Sequence, residues 1–565
     1  MTRRGLPEVV GTRKRRGPRE MPAHDRRAPQ RIILVSNRGP VEHQLGADGQ
    51  PEATRGAGGM VSGLLAAARG RPVTWIALAM TEADRLAAAA TAGGAIHAPA
   101  GMKRLDLRLV DVAPQAYRRY YDRISNGVLW FAQHYLLQPG TSGLFGARTA
   151  EDWQRGYKEV NQSVASAVIA ELAARGTQTP VLFQDYHLYL APAYVRERCP
   201  NARLAQFVHI PWPDSRYWEM LPDYMVRAIY RGLAANDCVF FQTQRDAQNF
   251  LAGALRALRG ARRVYDRQGD LQGLIWQDRT IWVRAHPIAL DAAPVRAQAR
   301  LPEATAQAER IAEQLHLDED HQLIVRVDRV EPTKNIVRGF LAYERLLKLH
   351  PKLKGQVTFL ALLVPSRESL AAYRTYAAQV ERTIARINAQ YGTASWQPIV
   401  ALVDNDQARA LACMRRYDVL LVNPIIDGMN LVVKEGGLVN NRAGVIVLAR
   451  TAGAYEQLGS DTVNVAPTDI TGTADALYQA LTMSRRERMR RARGIRAVLR
   501  AESAEKWLDA QLTDLALAAK RATTAARLAR QAAVDHPRVA RKPSAKVTLL
   551  RPRGERGELS ATQAR

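Results

Sequence analysis

The feature that most constrains this chain is a repeated change of hydrophobic rhythm: short, mostly apolar runs alternate with longer amphipathic stretches. Strand-sized runs lie at Arg31–Val35, Pro180–Phe183, Arg203–Val208, Asp237–Phe241 and Thr280–Val283. A second set follows at Gln322–Val327, Val357–Val364, Ile399–Leu402, Asp418–Val422, Gly444–Leu448 and Thr462–Val465. Helix-like segments such as Gln154–Arg175, Met225–Ala235, Ile336–His350, Arg367–Tyr391 and Ala474–Thr482 separate them. Apolar runs without polar alternation belong to strands buried on both faces, the condition of a parallel sheet covered by helices. The strands are too many for one open sheet. The expected fold is therefore α/β, with two Rossmann-like domains at 31–290 and 291–519 facing each other across a cleft. Leu301–Gln314, near the division, is helix-prone, and Ser484–Ala519 reads as closing helices outside the second sheet. No GxGxxG follows the first strand, which disfavours a dinucleotide dehydrogenase.

Charge raises a competing expectation, because the net charge is +27. Its placement answers it. Residues 1–30 carry nine Lys/Arg against three Asp/Glu, and 520–565 carry twelve against three, so the two ends hold +15. These basic extensions are poor in large apolar residues and are expected to be disordered. They lack the aromatic-interleaved surface on which single-stranded nucleic acid stacks, so nucleic acid is not expected as a partner. The longest apolar runs fall far short of the ~20 residues of a membrane helix, and no apolar run follows the basic N-terminus. Cys199, Cys238 and Cys413 are scattered without CxxC spacing, which fits thiols in a reducing cytoplasm better than disulfides or zinc. A cytoplasmic protein without membrane association is expected; a homo-oligomer is left open.

The informative residues are those that end the strands. In open α/β sheets, ligands bind outside the carboxyl ends of the strands. Here those ends carry Asn37-Arg38, Asp185, His209, Asp328-Arg329, Ser366-Arg367 and Asn423 to Asp427. Arg329 and Lys334, five residues apart after one strand, can both reach into a cleft and clamp a diphosphate, stabilising the charge that develops on a leaving oxygen; the alternative is a solvated loop. After Asn423, Gly428 allows a tight turn and a helix is expected to begin near Met429 to Leu431. The free N–H groups of its first turn form a phosphate site. Asp427 can accept from sugar hydroxyls or serve as a turn residue, and Glu435 can hold a ribose or sit on the helix surface. His209 and Asp185 are each structural or catalytic. Gly58-Gly59 can bring backbone close to a ligand, and Tyr120-Tyr121 and Trp130 offer aromatic surface to sugar rings.

Taken in order, eleven segments resemble the trehalose-6-phosphate synthase family across about residues 31–515. They include VSNRGP, GAGGMVSGL, YYDRISNGVLW, QDYHLYLAP, FVHIPWP, FFQTQRDAQNFL, HPIALD, VDRVEPTKN, VPSRE, RRYDVLLVNPIIDGMNLVVKEG and TAGAYEQLG. The resemblance implies the two-Rossmann GT-B fold and transfer of glucose from a nucleotide-glucose (UDP or GDP) to glucose 6-phosphate, with retention and by a front-face route. It implies Arg329 and Lys334 on the donor diphosphate, the Leu431 and Val432 amides on its phosphate, and Glu435 on the ribose. Asp427 and His209 would hold donor sugar hydroxyls, with Gly59 beneath the donor. Arg38, Tyr121, Trp130 and Arg367 would grip the acceptor's phosphate, with Asp185 near its hydroxyls. No cofactor and no metal are implied, and nothing in the sequence suggests the carboxylate pair of a retaining glycosidase.

Several positions depart from the family. Its Trp-Phe-Gly-Trp stands here as Trp75-Ile76-Ala77-Leu78, its Leu-Asp-Tyr as Val330-Glu331-Pro332, its next Gly as Asn335, and a common His as Gln184. These changes are expected around the sugar and acceptor pockets, so the transfer chemistry is better specified than the substrate. Relatives of this architecture that make glycosylglycerol phosphates or join cyclitols, as validoxylamine-phosphate synthase does, mark the alternative. No DxDx[TV] signature is present, so no fused phosphatase is expected.

Overall fold

A computed structural model describes residues 30–55, 59–91, 95–97, 104–137, 145–315 and 321–535. The expectation of disorder at 1–29 and 536–565, and the Gly58 half of the glycine pair, lie outside the described residues.

Among the described residues two large sheets form, of ten and of six strands, beside a two-stranded pair, Val41–Leu45 with Pro51–Arg55. The first has a parallel core in the order Leu105–Val110, Val73–Leu78, Ile32–Val35, Val181–Gln184, Leu204–Val208, Cys238–Phe241 and Arg279–Ala285. Antiparallel strands at Ala95–His97, and at Leu271–Trp276 with Arg262–Tyr265, extend its edges. The second sheet is parallel throughout, in the order Ile399–Val403, Val357–Val364, Gln322–Arg329, Val419–Val422, Val445–Ala449 and Val463–Val465. In each sheet the first strand of its parallel set lies inside, flanked on one side by its second and third and on the other by its fourth and later strands. That reversal of direction opens a crevice beyond the first strand. Ser36 to Arg38 and Asp185 flank the crevice of the first sheet; Arg329 and Asn423 flank that of the second.

Fully buried strands such as Ile32–Val35, Val181–Gln184, Cys238–Phe241 and Val445–Ala449 show no alternation in their sequence. Two core strands escape that reading. Leu105–Val110 alternates Leu107 and Leu109 with Asp106 and Arg108, which pair with Arg31 and Glu171 beside the sheet, so its pattern resembles a solvated edge. Val73–Leu78, buried along its whole length, follows a Gly-Arg-Pro segment.

The closing helices differ from expectation. Arg485–Ala501 does pack on the second half, with Ile495 and Leu499 against Gly437. The helix that starts at Ala504 instead returns to the first half. Trp507 donates to the His286 carbonyl (2.9 Å) and lies edge-on to Phe207 (5.1 Å), while Asp514 meets His286 (2.8 Å). It runs on to Asp535, so the boundary expected at 519/520 falls within a helix.

The two halves also meet through backbone. A Cβ on Gly428, in the second half, would lie 1.9 Å from the His209 carbonyl oxygen in the first. Only a residue without a Cβ allows that approach. Gly428→Ala is expected to lower the thermal midpoint, the overpacking costing about 1–3 kcal/mol. A midpoint for Gly428→Ala equal to that of the wild-type chain would contradict this contact.

Candidate active site

On the first-half side, the loop after Ile32–Val35 is fixed before it reaches the cleft. Ser36 Oγ accepts from Trp75 Nε1 (2.7 Å) and donates to the Arg38 carbonyl (2.6 Å). The Arg38 side chain remains 43% exposed, its carboxylate neighbour Glu42 lying at 3.5 Å. An eleven-residue π-helix, Arg119–Leu129, carries Tyr121, which stacks on Tyr117 (5.4 Å) and His187 (5.7 Å). Wide turns of this kind are rare and concentrate at functional sites. Trp130 follows directly.

Asp185 ends its strand at φ 66° and ψ −177°, a conformation that strains any residue with a Cβ. Its carboxylate accepts from the His209 N–H (3.1 Å), and burial pushes its pKa up to about 7. His209 is held in one tautomer. Ile288 N–H donates to Gln242 Oε1 (2.8 Å), which turns Gln242 Nε2 toward His209 Nδ1 (3.2 Å). His209 Nε2 therefore carries the proton and donates to Gln184 Oε1 (3.0 Å). Burial lowers the ring's pKa to about 3, so it stays neutral.

The second-half side is a network of paired charges. Glu331, fully buried, meets Arg329 (3.0 Å) with one oxygen and Arg367 (3.3 Å) with the other, and accepts from Thr333 Oγ1 (3.1 Å). Burial alone would raise its pKa; Arg329, Arg367 and Lys334 outweigh it and hold the carboxylate ionised. Lys334 Nζ lies 2.5 Å from Asp427. Burial opposes both charges there, yet each partner offsets it for the other, so Lys334 is shifted up and Asp427 down. Arg367, at φ 46°, lays its guanidinium 4.2 Å from the Trp130 ring and donates to Tyr373 (2.7 Å); Arg329 lies 5.7 Å from the same ring. Arg329 and Arg367, from different strand ends, thus share one carboxylate and one indole.

Asn430, at φ 73°, caps the Leu431–Val439 helix by accepting from Val433 N–H (3.4 Å). Among the described residues the Leu431 and Val432 N–H groups of the first turn have no acceptor, as the first N–H groups of a helix ordinarily do not. Glu435 lies on the same helix; burial raises its pKa to about 7 against a hydrogen bond from Gln407 (3.3 Å). Gly59 faces this turn from the first half, where its Cβ would meet Leu431 Cδ1 at 3.1 Å.

All thirteen residues expected at the site line one cleft of about 630 Å³: Arg38, Gly59, Tyr121, Trp130, Asp185, His209, Arg329, Lys334, Arg367, Asp427, Leu431, Val432 and Glu435. Of the departures, Leu78 is a correction: it is buried in the first-half core (1% exposed) and does not line the cleft. Glu331 lines it, Gln184 holds His209, and Asn335 takes up the left-handed turn (φ 58°) that a glycine would also permit. Sequence reasoning missed the role of Glu331 as a shared counter-ion. It also missed His134, a cleft residue that burial keeps neutral with a pKa of about 4. Arg326 was equally invisible, being read as strand interior. It is fully buried, pairs with Asp328 (2.8 Å) and donates to the Lys334 (3.0 Å) and Ile336 (3.3 Å) carbonyls, so it braces the loop that carries Lys334. Among the described residues no group of three or more His, Cys, Asp or Glu is placed to hold a metal ion, and no helix is long and apolar enough to cross a membrane.

The family model for glycosyltransferase family 20 matches residues 30–517. A validamine 7-phosphate valienyltransferase of Streptomyces hygroscopicus subsp. jinggangensis is 30% identical over 486 residues, 86% of this chain and 94% of that protein. A bifunctional trehalose-6-phosphate synthase/phosphatase of Thermoproteus tenax is 31% identical over 409 residues, 72% of this chain, which spans only 53% of that longer protein. The crystal structure of a UDP-forming α,α-trehalose-phosphate synthase of Burkholderia xenovorans in complex with glucose-6-phosphate superposes with a TM-score of 0.73. It is 27% identical, covering 86% of this chain and 99% of that one. With two Rossmann-like halves and a charged cleft between them, the chain belongs to glycosyltransferase family 20 and is a hexosyltransferase of the trehalose-6-phosphate synthase type.

Proposed function

We propose that this enzyme transfers glucose from a nucleotide-glucose, UDP-glucose foremost, to glucose 6-phosphate, forming α,α-trehalose 6-phosphate with retention. The supporting observation is that Arg38, Arg329, Lys334 and Arg367, drawn from both halves, face one cleft. Two anionic substrates, a diphosphate and a sugar phosphate, require such a set. In this reading the first half, 31–290, holds the acceptor and the second, 291–519, the nucleotide-sugar.

Arg329 and Lys334 hold the departing diphosphate, joined by the Leu431 and Val432 amides. The bond from the anomeric carbon to the diphosphate oxygen breaks as the acceptor hydroxyl bonds to that carbon on the same face. The hydroxyl proton passes to the departing oxygen beside it. Guanidinium and ammonium charge, already ordered by Glu331 and Asp427, stabilises the leaving group without reorganising. Asp427 and His209 orient the donor sugar, Asp185 lies by the acceptor hydroxyls, and Glu435 holds the ribose. Arg38 and Arg367 take the acceptor phosphate, with Tyr121 and Trp130 as the aromatic wall. A cytoplasmic location is part of the proposal, supported by three free thiols.

A second reading replaces one or both sugars with cyclitols. The 94% coverage of the valienyltransferase motivates it, as does Gln184 against His209. A donor-by-acceptor matrix with product identification decides between them. Nucleoside diphosphate released only when glucose 6-phosphate is present supports the proposal. No release with UDP-, GDP- or ADP-glucose overturns it.

Arg329→Ala or Lys334→Ala is expected to cut turnover by on the order of 10²-fold, as loss of a preorganised charge stabiliser does; a fall below about threefold would place the diphosphate elsewhere. Glu435 gives a stability prediction for the unliganded protein. Its folded pKa, about 7, exceeds its ordinary 4.5, so the folded state binds the proton more tightly. Its contribution is complete below the unfolded value and is lost as pH rises through the folded one. Between pH 5 and pH 8, ~3 units spanning the shift, the wild-type midpoint should fall relative to Glu435→Gln. Parallel pH profiles would contradict the burial of this carboxyl.

A further inference from the structure

The Leu431–Val439 helix begins at the cleft and ends, about 13 Å on at 1.5 Å per residue, against a second concentration of positive charge. Arg296, Arg300, Arg415, Arg496 and Arg500 surround a cavity of about 340 Å³ together with Asn440. Among the described residues no carboxylate lines it, and none of the five arginines has a carboxylate at ion-pair distance. Three other arginines of the same Arg485–Ala501 helix are neutralised, Arg488 by Asp418 and Arg490 and Arg491 by Glu487, whereas Arg485, Arg486 and Arg493 have no carboxylate at ion-pair distance among the described residues.

Three of the five are instead steadied by carbonyl oxygens. Arg296 Nε donates to Leu438 (3.1 Å), an Arg415 nitrogen to Ala299 (3.3 Å), and an Arg496 nitrogen to Asn440 (2.7 Å). Carbonyl contacts place a guanidinium without cancelling its charge. The free carbonyls at the end of the Leu431–Val439 helix supply about half a negative charge, far less than the five positive charges gathered there. Burial, and then repulsion from Arg500, Arg496 and Arg300, shifts Arg296 below its ordinary value.

We propose that this cavity is a second anion site, separate from the cleft, for a ligand bearing two or more clustered phosphates. Planar guanidinium forks match phosphate oxygens in pairs, and several converging on one cavity suit more than a single phosphate. The site lies on both connections between the halves. Arg296 and Arg300 belong to the segment that leaves the first half. Arg496 and Arg500 belong to the helix whose end hands the chain back: Glu502 there pairs with Lys434 (2.8 Å), and Ala504 N–H donates to Asp291 (3.0 Å).

The test is equilibrium titration of the full chain with inorganic pyrophosphate at fixed ionic strength, in an Arg329→Ala, Lys334→Ala background that weakens the diphosphate grip of the cleft. Saturable binding is expected, weakened about tenfold or more by Arg300→Glu with Arg500→Glu. Both side chains are exposed, so the thermal midpoint should hold, and a matching midpoint shows that the variant is folded. ATP in the same titration separates the ligand's sources. Equal affinity assigns a site for phosphates alone, tighter ATP one that also touches the nucleoside, and either supports the proposal. No saturable binding, or binding that the charge reversals leave within about threefold, overturns it. The result is independent of the transfer reaction, because turnover is not the readout.

Discussion

The cleft depends on one buried carboxylate. Glu331 is out of reach of water and is answered by two arginines, Arg329 and Arg367. Removing one partner of a buried ion pair is far costlier than the pair is worth in net stability, since it strands the remaining charge. Such a group contributes position more than energy. It fixes two neighbouring guanidiniums, from different strand ends, relative to each other and to Trp130, while Asp427 does the same for Lys334. Arg326, beneath them, ties the Lys334 and Ile336 carbonyls to Asp328. The cations are ordered before any substrate arrives.

Backbone strain gathers around the same cleft. Asp185, Arg367 and Asn430, which line it, and Asn335, directly after Lys334, all have positive φ. Non-glycine residues keep such conformations only where the surroundings over-determine them. Here the surroundings are named: His209 N–H holds the Asp185 carboxylate, the Asn423 and Pro467 carbonyls hold Asn335, and Tyr373 holds Arg367. Stability given up in the backbone is returned as direction, with each side chain turned toward a common space.

Much of this was legible in the sequence because it is local. Doubly buried strands have no alternation, and a polar group at a strand's carboxyl end is adjacent to it in sequence, so both the sheets and the rim of the cleft could be read directly. Tertiary facts could not. Arg326 sits within an apolar strand and owes its role to carbonyls eight and ten residues on. Glu331 was visible as a departure from the family, but its sharing by Arg329 and Arg367 depends on Gln322–Arg329 pairing with Val357–Val364. Leu105–Val110 was hidden by salt bridges that replace solvent. The return of Trp507 to the first half follows from a long-range hydrogen bond to His286, which helical periodicity does not encode.

The central claim is that two facing halves share one reaction space, with the diphosphate-binding groups in the second half and a sugar-phosphate grip to which Arg38 of the first half and Arg367 of the second both contribute. A crystal structure of the full chain with UDP and glucose 6-phosphate bound together tests it most directly. The account predicts the diphosphate on the Leu431 and Val432 amides within reach of Arg329 and Lys334, and the sugar phosphate beside Arg38 across the same cleft. Either ligand seated outside that cleft, or a diphosphate without contact to Arg329 and Lys334, would contradict it.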